Sequence, residues 1–219
     1  MTELLIVRHG QTDWNIKRWI QGWRDIELNS TGMTQAKRLA AHLARPEHRL
    51  EPLEAIYSSD LLRARQTAEV LSESLQMPLH LLQGVRERNY GILEGVAFDE
   101  MAQRFPTIAQ IWHSRDPDGV IPQGETLRTF TDRVKSTLEL LAQAHNGQRV
   151  IVVTHGGAMD IIWRLATDTP IETPRKAPLL NASINRIGIK ASTNAFDWSL
   201  LEWGNVDHLE ASDDDATAQ

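Results

Sequence analysis

Short apolar runs alternate with longer amphipathic segments along most of the chain. Continuous apolar runs of four to eight residues are typical of strands that are buried on both faces of a parallel sheet. These runs predict four strands and two weaker ones, at 3–8, 54–58, 78–82, 149–154, 184–190 and 197–203.

Apolar residues at helical spacing occupy the stretches between these strands. They predict helices over 31–45, 61–76 and about 125–145, and a fourth helix after His155. Asp60 is predicted to be the N-cap of the second of these helices. Strands that alternate with helices of this length predict an α/β fold, with a mostly parallel central sheet of about six strands and helices on both faces.

The segment 92–124 interrupts the alternation. It contains three prolines, and short helical pieces are predicted around 97–104 and 107–113. An irregular stretch of this length inside a domain usually covers a functional site, so we expect a small helical cap over the strand ends. The domain is predicted to span 1–209, and the acidic residues 210–219 are expected to form a disordered tail.

Composition narrows the classes of function. The 219 residues include no cysteine, which excludes disulfides, thiolate metal sites and a cysteine nucleophile. The formal net charge of −6 argues against a nucleic-acid partner. We find neither a membrane-spanning apolar stretch nor a signal-peptide pattern, so we expect a cytoplasmic protein without a membrane partner. A homodimer is compatible with these features.

Two histidines directly follow predicted strands. Arg8-His9-Gly10 comes after the first strand, and His155-Gly156-Gly157 comes after the fourth. Ligands of open α/β sheets bind beyond the carboxyl ends of the strands, so both histidines are placed where chemistry usually occurs. Three interpretations are open: core histidines, a metal pair, or a phosphate site with a histidine nucleophile.

The phosphate interpretation agrees best with the neighbouring residues. The chain has no HExxH motif, no His-x-His motif and no cysteine ligand, and Arg8 would repel a metal ion. A guanidinium instead binds a phosphate through two parallel hydrogen bonds. Arg63 lies in the first turn of the helix predicted over 61–76, where helix N-termini favour anions, whereas Arg65 is expected to face solvent.

Glu87 is the candidate proton donor. It follows the third predicted strand, in the segment Glu87-Arg88-Asn89-Tyr90-Gly91, and it stands nearer a strand end than the glutamates of the cap. Phosphoryl transfer from an alkyl ester needs such a group, because an alkoxide leaves poorly without a proton.

This ordered set of motifs resembles that of the histidine phosphatase superfamily, also called phosphoglycerate mutase-like. The resemblance covers most of the chain, and its matching segments are Arg8-His9-Gly10-Gln11-Thr12-Asp13-Trp14-Asn15, Gln21-Gly22, Ser58-Ser59-Asp60 with Arg63 and Thr67-Ala68, Glu87-Arg88-Asn89-Tyr90-Gly91, Gly124-Glu125-Thr126, Thr154-His155-Gly156-Gly157 and Asn181-Ala182-Ser183-Ile184-Asn185.

The resemblance implies a phosphomonoester hydrolase of the histidine acid phosphatase type that needs neither a metal nor a cofactor. His9 would attack phosphorus through one ring nitrogen while a backbone carbonyl holds the other. Arg8, Arg63 and His155 would bind the phosphoryl oxygens, and Glu87 would transfer protons. The substrate is expected to be a small phosphorylated metabolite, in contact with Asn15, Gln21, Gly22, Arg88, Tyr90 and Gly156.

A phosphoglycerate mutase is the alternative, because both activities use the same core residues. The cap carries Arg104 and Arg115 against five carboxylates, which are Glu94, Asp99, Glu100, Asp116 and Asp118. We expect such an acidic cap to repel a second phosphate, which favours hydrolysis of a mono-phosphorylated substrate. A non-catalytic phosphate-binding or scaffold protein is a third interpretation, which the complete set of core residues disfavours.

Overall fold

A mixed six-stranded sheet lies at the centre of the computed structural model, which describes residues 1–45, 52–193 and 195–210. Its strands are β1 (Thr2–Arg8), β2 (Leu53–Ser58), β3 (Leu79–Leu81), β4 (Arg149–Thr154), β5 (Ile184–Ala191) and β6 (Phe196–Asn205). The order across the sheet is β3-β2-β4-β1-β5-β6. The first four of these run parallel, and β5 runs antiparallel to both of its neighbours. The predicted α/β fold with a mostly parallel sheet is confirmed.

Seven α-helices lie within the described residues. They are α1 (Asp13–Ile16), α2 (Ser30–Leu43), α3 (Leu62–Leu75), α4 (Met101–Arg104), α5 (Pro106–Ser114), α6 (Leu127–Ala144) and α7 (Gly156–Ala166). No helix in this described part of the chain is both long and apolar enough to span a bilayer. The predicted tail lies outside the described residues from position 211 onward.

The prediction that Asp60 caps α3 is wrong. Leu61 occupies the N-cap position and makes no side-chain cap bond, and Asp25 Oδ1 accepts a hydrogen bond from Leu62 N at 2.7 Å at this helix end. The carboxylate of Asp60 instead accepts a hydrogen bond from Arg86 Nε at 2.6 Å and forms an ion pair with the same guanidinium. A two-point contact with a charged fork is stronger than a single bond to a backbone N–H, and it ties α3 to the segment that carries Glu87.

The alternation of side chains along β1 separates two cores. Leu4 and Ile6 lie on the face covered by α6 and α7, whereas Leu5 and Val7 lie on the face covered by α2 and α3. Successive residues of a strand point to opposite faces, so a continuous apolar run is required where both faces are covered.

The cap has a small core of its own. Its buried side chains are Ile20, Leu93, Val96, Met101, Ala109 and Ile121. The ends of the segment are closed by a hydrogen bond from Ile92 N to Pro122 O at 3.1 Å. The helical pieces predicted in this segment correspond to α4 and α5.

Candidate active site

The two sequence-predicted histidines meet because their strands are neighbours. Arg8 pairs in register with Thr154 across β1 and β4, and His9 N donates to Thr154 O at 3.0 Å. The rings of His9 and His155 lie 5.2 Å apart between centroids and are inclined at 56°. Both residues are buried.

The tautomer of His9 follows from a local contact. Its Nδ1 lies 2.7 Å from the backbone oxygen of Gly10, as expected from the family resemblance. A carbonyl oxygen only accepts, so Nδ1 carries the proton and Nε2 keeps its lone pair. Burial, followed by the positive charges of Arg63 and Arg8, lowers the pKa of His9 well below its ordinary value. The imidazole is therefore neutral at neutral pH and is able to act as a nucleophile.

Arg63 is positioned by the first turn of α3. Its side chain is buried, and its two terminal nitrogens donate to Gly22 O at 2.8 Å and to Arg24 O at 2.9 Å. Burial lowers its pKa to about 10, and the Glu87 carboxylate opposes this shift, so the guanidinium stays charged at neutral pH. Arg65, as predicted, lies on the exposed side of the helix, where it pairs with Glu69 at 3.4 Å.

Arg8 reaches the same centre from the end of β1. It donates a hydrogen bond to Leu179 O, and burial lowers its pKa to about 10. Gly156, at the start of α7, lies next to this guanidinium. A Cβ at Gly156 would lie 3.4 Å from Arg8 Cζ, which is an ordinary van der Waals contact.

Several buried polar atoms at this centre have no hydrogen-bond partner in the described structure. They are Arg8 Nε, Arg63 Nε and both ring nitrogens of His155. Buried polar groups in proteins are normally hydrogen-bonded, so a cluster of unpaired ones indicates a site for a ligand. Two guanidiniums within this cluster favour an anion. The described residues include no group of His, Asp or Glu side chains arranged to hold a metal ion.

Two backbone N–H groups orient the Glu87 carboxylate. Its Oε2 accepts from Gly157 N and its Oε1 accepts from Arg88 N, each at 2.8 Å. A Cβ at Gly157 would lie 2.1 Å from Glu87 Oε1, so only glycine fits at this position without displacing the carboxylate. Glu87 is partly exposed, which allows water to reach it.

A clamp formed by Arg133 and Glu125 supports the Glu87 segment. Arg133 forms a two-point contact with the Glu125 carboxylate, at 2.8 Å for each hydrogen bond. It also donates to the backbone oxygens of Arg86 at 3.2 Å and Glu87 at 3.1 Å. Glu125 Oε2 in turn accepts from Asn89 N at 2.9 Å. Sequence reasoning missed Arg133, because it lies inside α6, eight residues after Glu125.

The loop after β1 brings the predicted binding residues to the rim of this centre. Asn181 Nδ2 donates to His9 O at 2.9 Å and to Asn15 Oδ1 at 3.4 Å, so Asn15 is linked to the backbone of the nucleophile candidate. Gln21 is buried, and its Oε1 finds no partner among the described residues. Gly22, at φ +51°, presents its carbonyl to Arg63.

A cavity of about 310 Å³ is lined in part by Gly157, whose backbone N–H binds Glu87 Oε2. It extends from Gly157 between α7 and the cap, and Arg88 and Tyr90 are among the residues that line it. The ring of Trp112 closes one wall and lies 4.9 Å from the Tyr90 ring.

The carboxylates of the cap, which were expected to repel a second phosphate, do not face this cavity. None of the five carboxylates lines this cavity among the described residues. Glu100 pairs with Arg104 and Asp118 pairs with Arg128, both at exposed positions, while Asp99 and Asp116 also face solvent. Glu94 accepts hydrogen bonds from the backbone of Trp23 and Tyr90. Charges counted along a segment do not show which face of its helices each side chain occupies.

The sequence comparisons agree with this geometry. A family model described as the histidine phosphatase superfamily (branch 1) matches residues 4–205. The chain belongs to this family.

Relatives and solved structures carry related names. The chain is 35% identical over 213 residues to a metal-independent phosphoserine phosphatase of Arabidopsis thaliana, with 96% of this chain and 84% of the relative covered. It is 33% identical to the phosphoglycerate mutase-like protein 4 of the same plant, with 95% and 87% covered. The structure of Bacillus stearothermophilus YhfR is similar with a TM-score of 0.82 and 28% identity, and 96% of this chain and all of that chain (100%) are covered. Family and relatives support a phosphoester hydrolase.

Proposed function

We propose that this protein is a metal-independent phosphomonoesterase of the histidine acid phosphatase type that forms a phosphohistidine intermediate on His9. The observation that carries the proposal is the buried His9 with a free Nε2, next to His155 at 5.2 Å and within the electrostatic reach of Arg8 and Arg63. A neutral nucleophile among cations is suited to an anionic phosphoryl group.

In the first step, His9 Nε2 attacks phosphorus and the bond from phosphorus to the ester oxygen breaks. Glu87 gives its proton to the departing oxygen, so the alcohol leaves neutral. Arg8 and Arg63 bind the phosphoryl oxygens and balance the charge of the transition state, with His155 as a further partner. The bond from His9 Nδ1–H to Gly10 O then stabilises the positive charge on the phosphorylated ring.

In the second step, water attacks phosphorus and the bond from nitrogen to phosphorus breaks. The Glu87 carboxylate, which gave up its proton in the first step, takes one from the attacking water. Inorganic phosphate leaves, and His9 and Glu87 return to their starting protonation states. The partial exposure of Glu87 supports this role, because the attacking water must reach the carboxylate.

A phosphoglycerate mutase is the second candidate, and one observation favours it. Arg115 and Arg175 line the cavity beside Glu87, where cations would help to hold a second phosphate. Hydrolysis remains the proposal, because the relative at 35% identity is named a phosphoserine phosphatase, and similar solved structures are titled phosphoserine phosphatase and glucosyl-3-phosphoglycerate phosphatase.

Two assays on the purified protein test the proposal. We expect phosphate release from p-nitrophenyl phosphate in excess EDTA, and rapid quenching without acid should trap an acid-labile phosphoenzyme. Interconversion of 2- and 3-phosphoglycerate should stay negligible, with or without 2,3-bisphosphoglycerate. Efficient interconversion that the bisphosphate stimulates would make the protein a mutase, and absence of turnover on every monoester would refute both candidates.

A further inference from the structure

The segment 22–24 fixes the guanidinium of Arg63. The backbone oxygens of Gly22 and Arg24 accept hydrogen bonds from its two terminal nitrogens, at 2.8 Å and 2.9 Å. Because a guanidinium is planar and rigid, two bonds of this kind determine the direction of its remaining N–H groups. Arg63 Nε is one of these groups, and it is buried without a hydrogen-bond partner in the described structure. The direction of this unpaired donor therefore depends on the position of the segment.

The same segment contacts the backbone of the proton-donor candidate. Trp23 Nε1 donates a hydrogen bond to Glu87 O at 2.8 Å, and the guanidinium of Arg86 lies over the Trp23 ring, 4.7 Å from its centroid. A cation over an aromatic face strengthens the contact between the two side chains. One short segment thus joins the proposed phosphoryl-binding cation to the proposed proton donor.

Two carboxylates anchor this segment. Asp25 directly follows it and accepts a hydrogen bond from Leu62 N at 2.7 Å, which ties the chain to the start of α3. Glu94 anchors it to the cap, because its Oε1 accepts from Trp23 N at 2.8 Å and its Oε2 lies 3.7 Å from Arg24 Nε. Of the two carboxylates, Glu94 is the one that binds residues inside the segment.

The Glu94 side chain is enclosed by its partners. It is 9% exposed, and its Oε1 accepts a second hydrogen bond, from Tyr90 N at 3.2 Å. Gly22 lies so close that a Cβ at this position would overlap Glu94 Oε1. Removing an ionised carboxylate from water is costly, and hydrogen bonds to its oxygens offset that cost. The Glu94 carboxylate therefore has little freedom to move away from the segment.

The charge of Glu94 also acts on Arg63. Burial lowers the pKa of Arg63 to about 10, and the carboxylates of Glu87, Asp25 and Glu94 oppose this lowering, in that order of strength. A negative charge near a buried guanidinium favours its charged form. Glu94 therefore supports both the orientation and the charge of Arg63.

We propose that Glu94 is a positioning residue for the hydrolysis, which holds the segment 22–24 so that Arg63 and Glu87 are both correctly placed for the same phosphate ester. Its effect on the reaction passes through these two residues. The inference rests on the proposed phosphomonoesterase function and adds a residue on which two of the reacting groups depend.

Glu94→Ala tests the connection to Arg63. We expect kcat/KM on p-nitrophenyl phosphate to fall at least about tenfold and the inhibition constant of orthovanadate to rise by about as much, because both depend on the orientation of Arg63. Glu94→Gln retains an oxygen that accepts from Trp23 N, so it should recover much of the loss. Glu100→Ala is the matched control, since it removes an exposed glutamate of the cap and should change neither value.

A double variant shows whether Glu94 acts through Arg63. On p-nitrophenyl phosphate, Glu94→Ala combined with Arg63→Ala should be about as active as Arg63→Ala alone, because the guanidinium that Glu94 positions is already absent. If the two losses multiply, Glu94 acts independently of Arg63 and the proposal is refuted.

Trp23→Phe tests the connection to Glu87. It removes the donor to Glu87 O and keeps an aromatic ring beside Arg86. We expect kcat/KM on an alkyl phosphate to fall at least about fivefold further than on p-nitrophenyl phosphate, whose phenolate leaves without a proton. Trp23 is exposed, so this variant decides the proposal even if Glu94→Ala does not fold. An unchanged ratio of the two substrates refutes it.

These measurements separate positioning from general stability. A smaller folded fraction, which thermal unfolding measures, lowers kcat but leaves the inhibition constant of orthovanadate and the ratio of the two substrates unchanged. If Glu94→Ala leaves orthovanadate inhibition and kcat/KM on p-nitrophenyl phosphate at their wild-type values, the positioning role is refuted and the phosphomonoesterase proposal stands. If the wild-type protein hydrolyses no monoester, both are refuted.

Discussion

The guanidinium of Arg133 donates a hydrogen bond to the backbone oxygen of Glu87 across 3.1 Å. The same side chain forms its two-point contact with Glu125, whose own carboxylate binds Asn89 N. Hydrogen bonds with Arg133 and Glu125 thus fix the backbone around Glu87, the proton-donor candidate. The backbone N–H groups of Gly157 and Arg88 orient its carboxylate. Arg133 is far better suited to positioning Glu87 than to binding substrate.

Arg133→Gln should therefore reproduce part of the effect of losing Glu87. We expect kcat on an alkyl phosphate to fall about tenfold more than kcat on p-nitrophenyl phosphate, whose phenolate leaves without a proton. Arg133→Lys should recover little, because a single ammonium does not replace the two-point contact. Lys135→Gln, on the same helix and paired with Glu139 at 3.9 Å, is the control. Equal losses on both substrates would assign Arg133 to general stability instead.

Replacement of Glu87 itself tests proton transfer directly. Glu87→Gln keeps the size of the side chain but cannot donate to the leaving oxygen, so alkyl phosphates should slow by about a hundredfold or more while p-nitrophenyl phosphate slows far less. Glu100→Gln, at an exposed position in the cap, should change neither rate. A uniform loss on both substrates for Glu87→Gln would contradict the proton-donor role.

His9→Ala should abolish turnover. The covalent route disappears, so we expect kcat to fall by at least about a thousandfold. Circular dichroism should show an unchanged fold, and the phosphoenzyme should be trapped in the wild-type protein alone. His80→Ala, at an exposed position on β3, serves as the control. Near-normal activity in a folded His9→Ala protein would exclude His9 as the nucleophile.

Arg63 and Arg65 lie on the same helix, so substitutions of the two residues can be compared directly. Arg63→Ala should lower kcat/KM by about a hundredfold or more on alkyl and aryl phosphates alike, because the guanidinium is proposed to bind the phosphoryl group and not the leaving group. Arg65→Ala removes an exposed charge and should have almost no effect. Steady-state kinetics on both substrates provides the measurement, and a similar effect of the two substitutions would contradict the assignment.

The low pKa of His9 predicts activity in the acid range. Burial, Arg63 and Arg8 depress this pKa below the ordinary value of 6.5, so the imidazole is still neutral and nucleophilic at pH 6. The acid limb of kcat/KM, which reports the free enzyme, should lie below pH 6.5 once the ionisation of the substrate is corrected for. As the pH falls through the depressed pKa, His9 gains a proton and activity is lost. If the corrected kcat/KM has its acid limb at or above pH 6.5, the assignment of this limb to His9 is contradicted.

Local sequence was sufficient to predict the six strands, the four long helices and the short helices of the cap, but not α1, and it pointed to the five catalytic candidates. The apolar runs that end in Arg8-His9 and Thr154-His155 have one feasible environment, a sheet covered on both faces. Polar residues at the carboxyl ends of parallel strands then lie at the same edge of the sheet. The proximity of the two histidines was therefore predictable. The roles of these residues remain proposals until the substitutions are made.

The direction of the cap side chains was decided by the tertiary structure. The sequence shows five carboxylates in this segment, but folding turns Asp118 towards Arg128 and Glu100 towards Arg104, away from the cavity. Arg175, from the loop after α7, reaches the cavity through contacts that no local pattern contains.

What the sequence by itself determined is therefore the sheet, its layers and the chemistry placed at the strand ends, because these depend on periodicity and on neighbours along the chain. What only the tertiary structure decided is the charge of the cavity and the support of Glu87 by Arg133. Both depend on side chains from distant segments, and their contacts are fixed only when α6, α7 and the cap pack together.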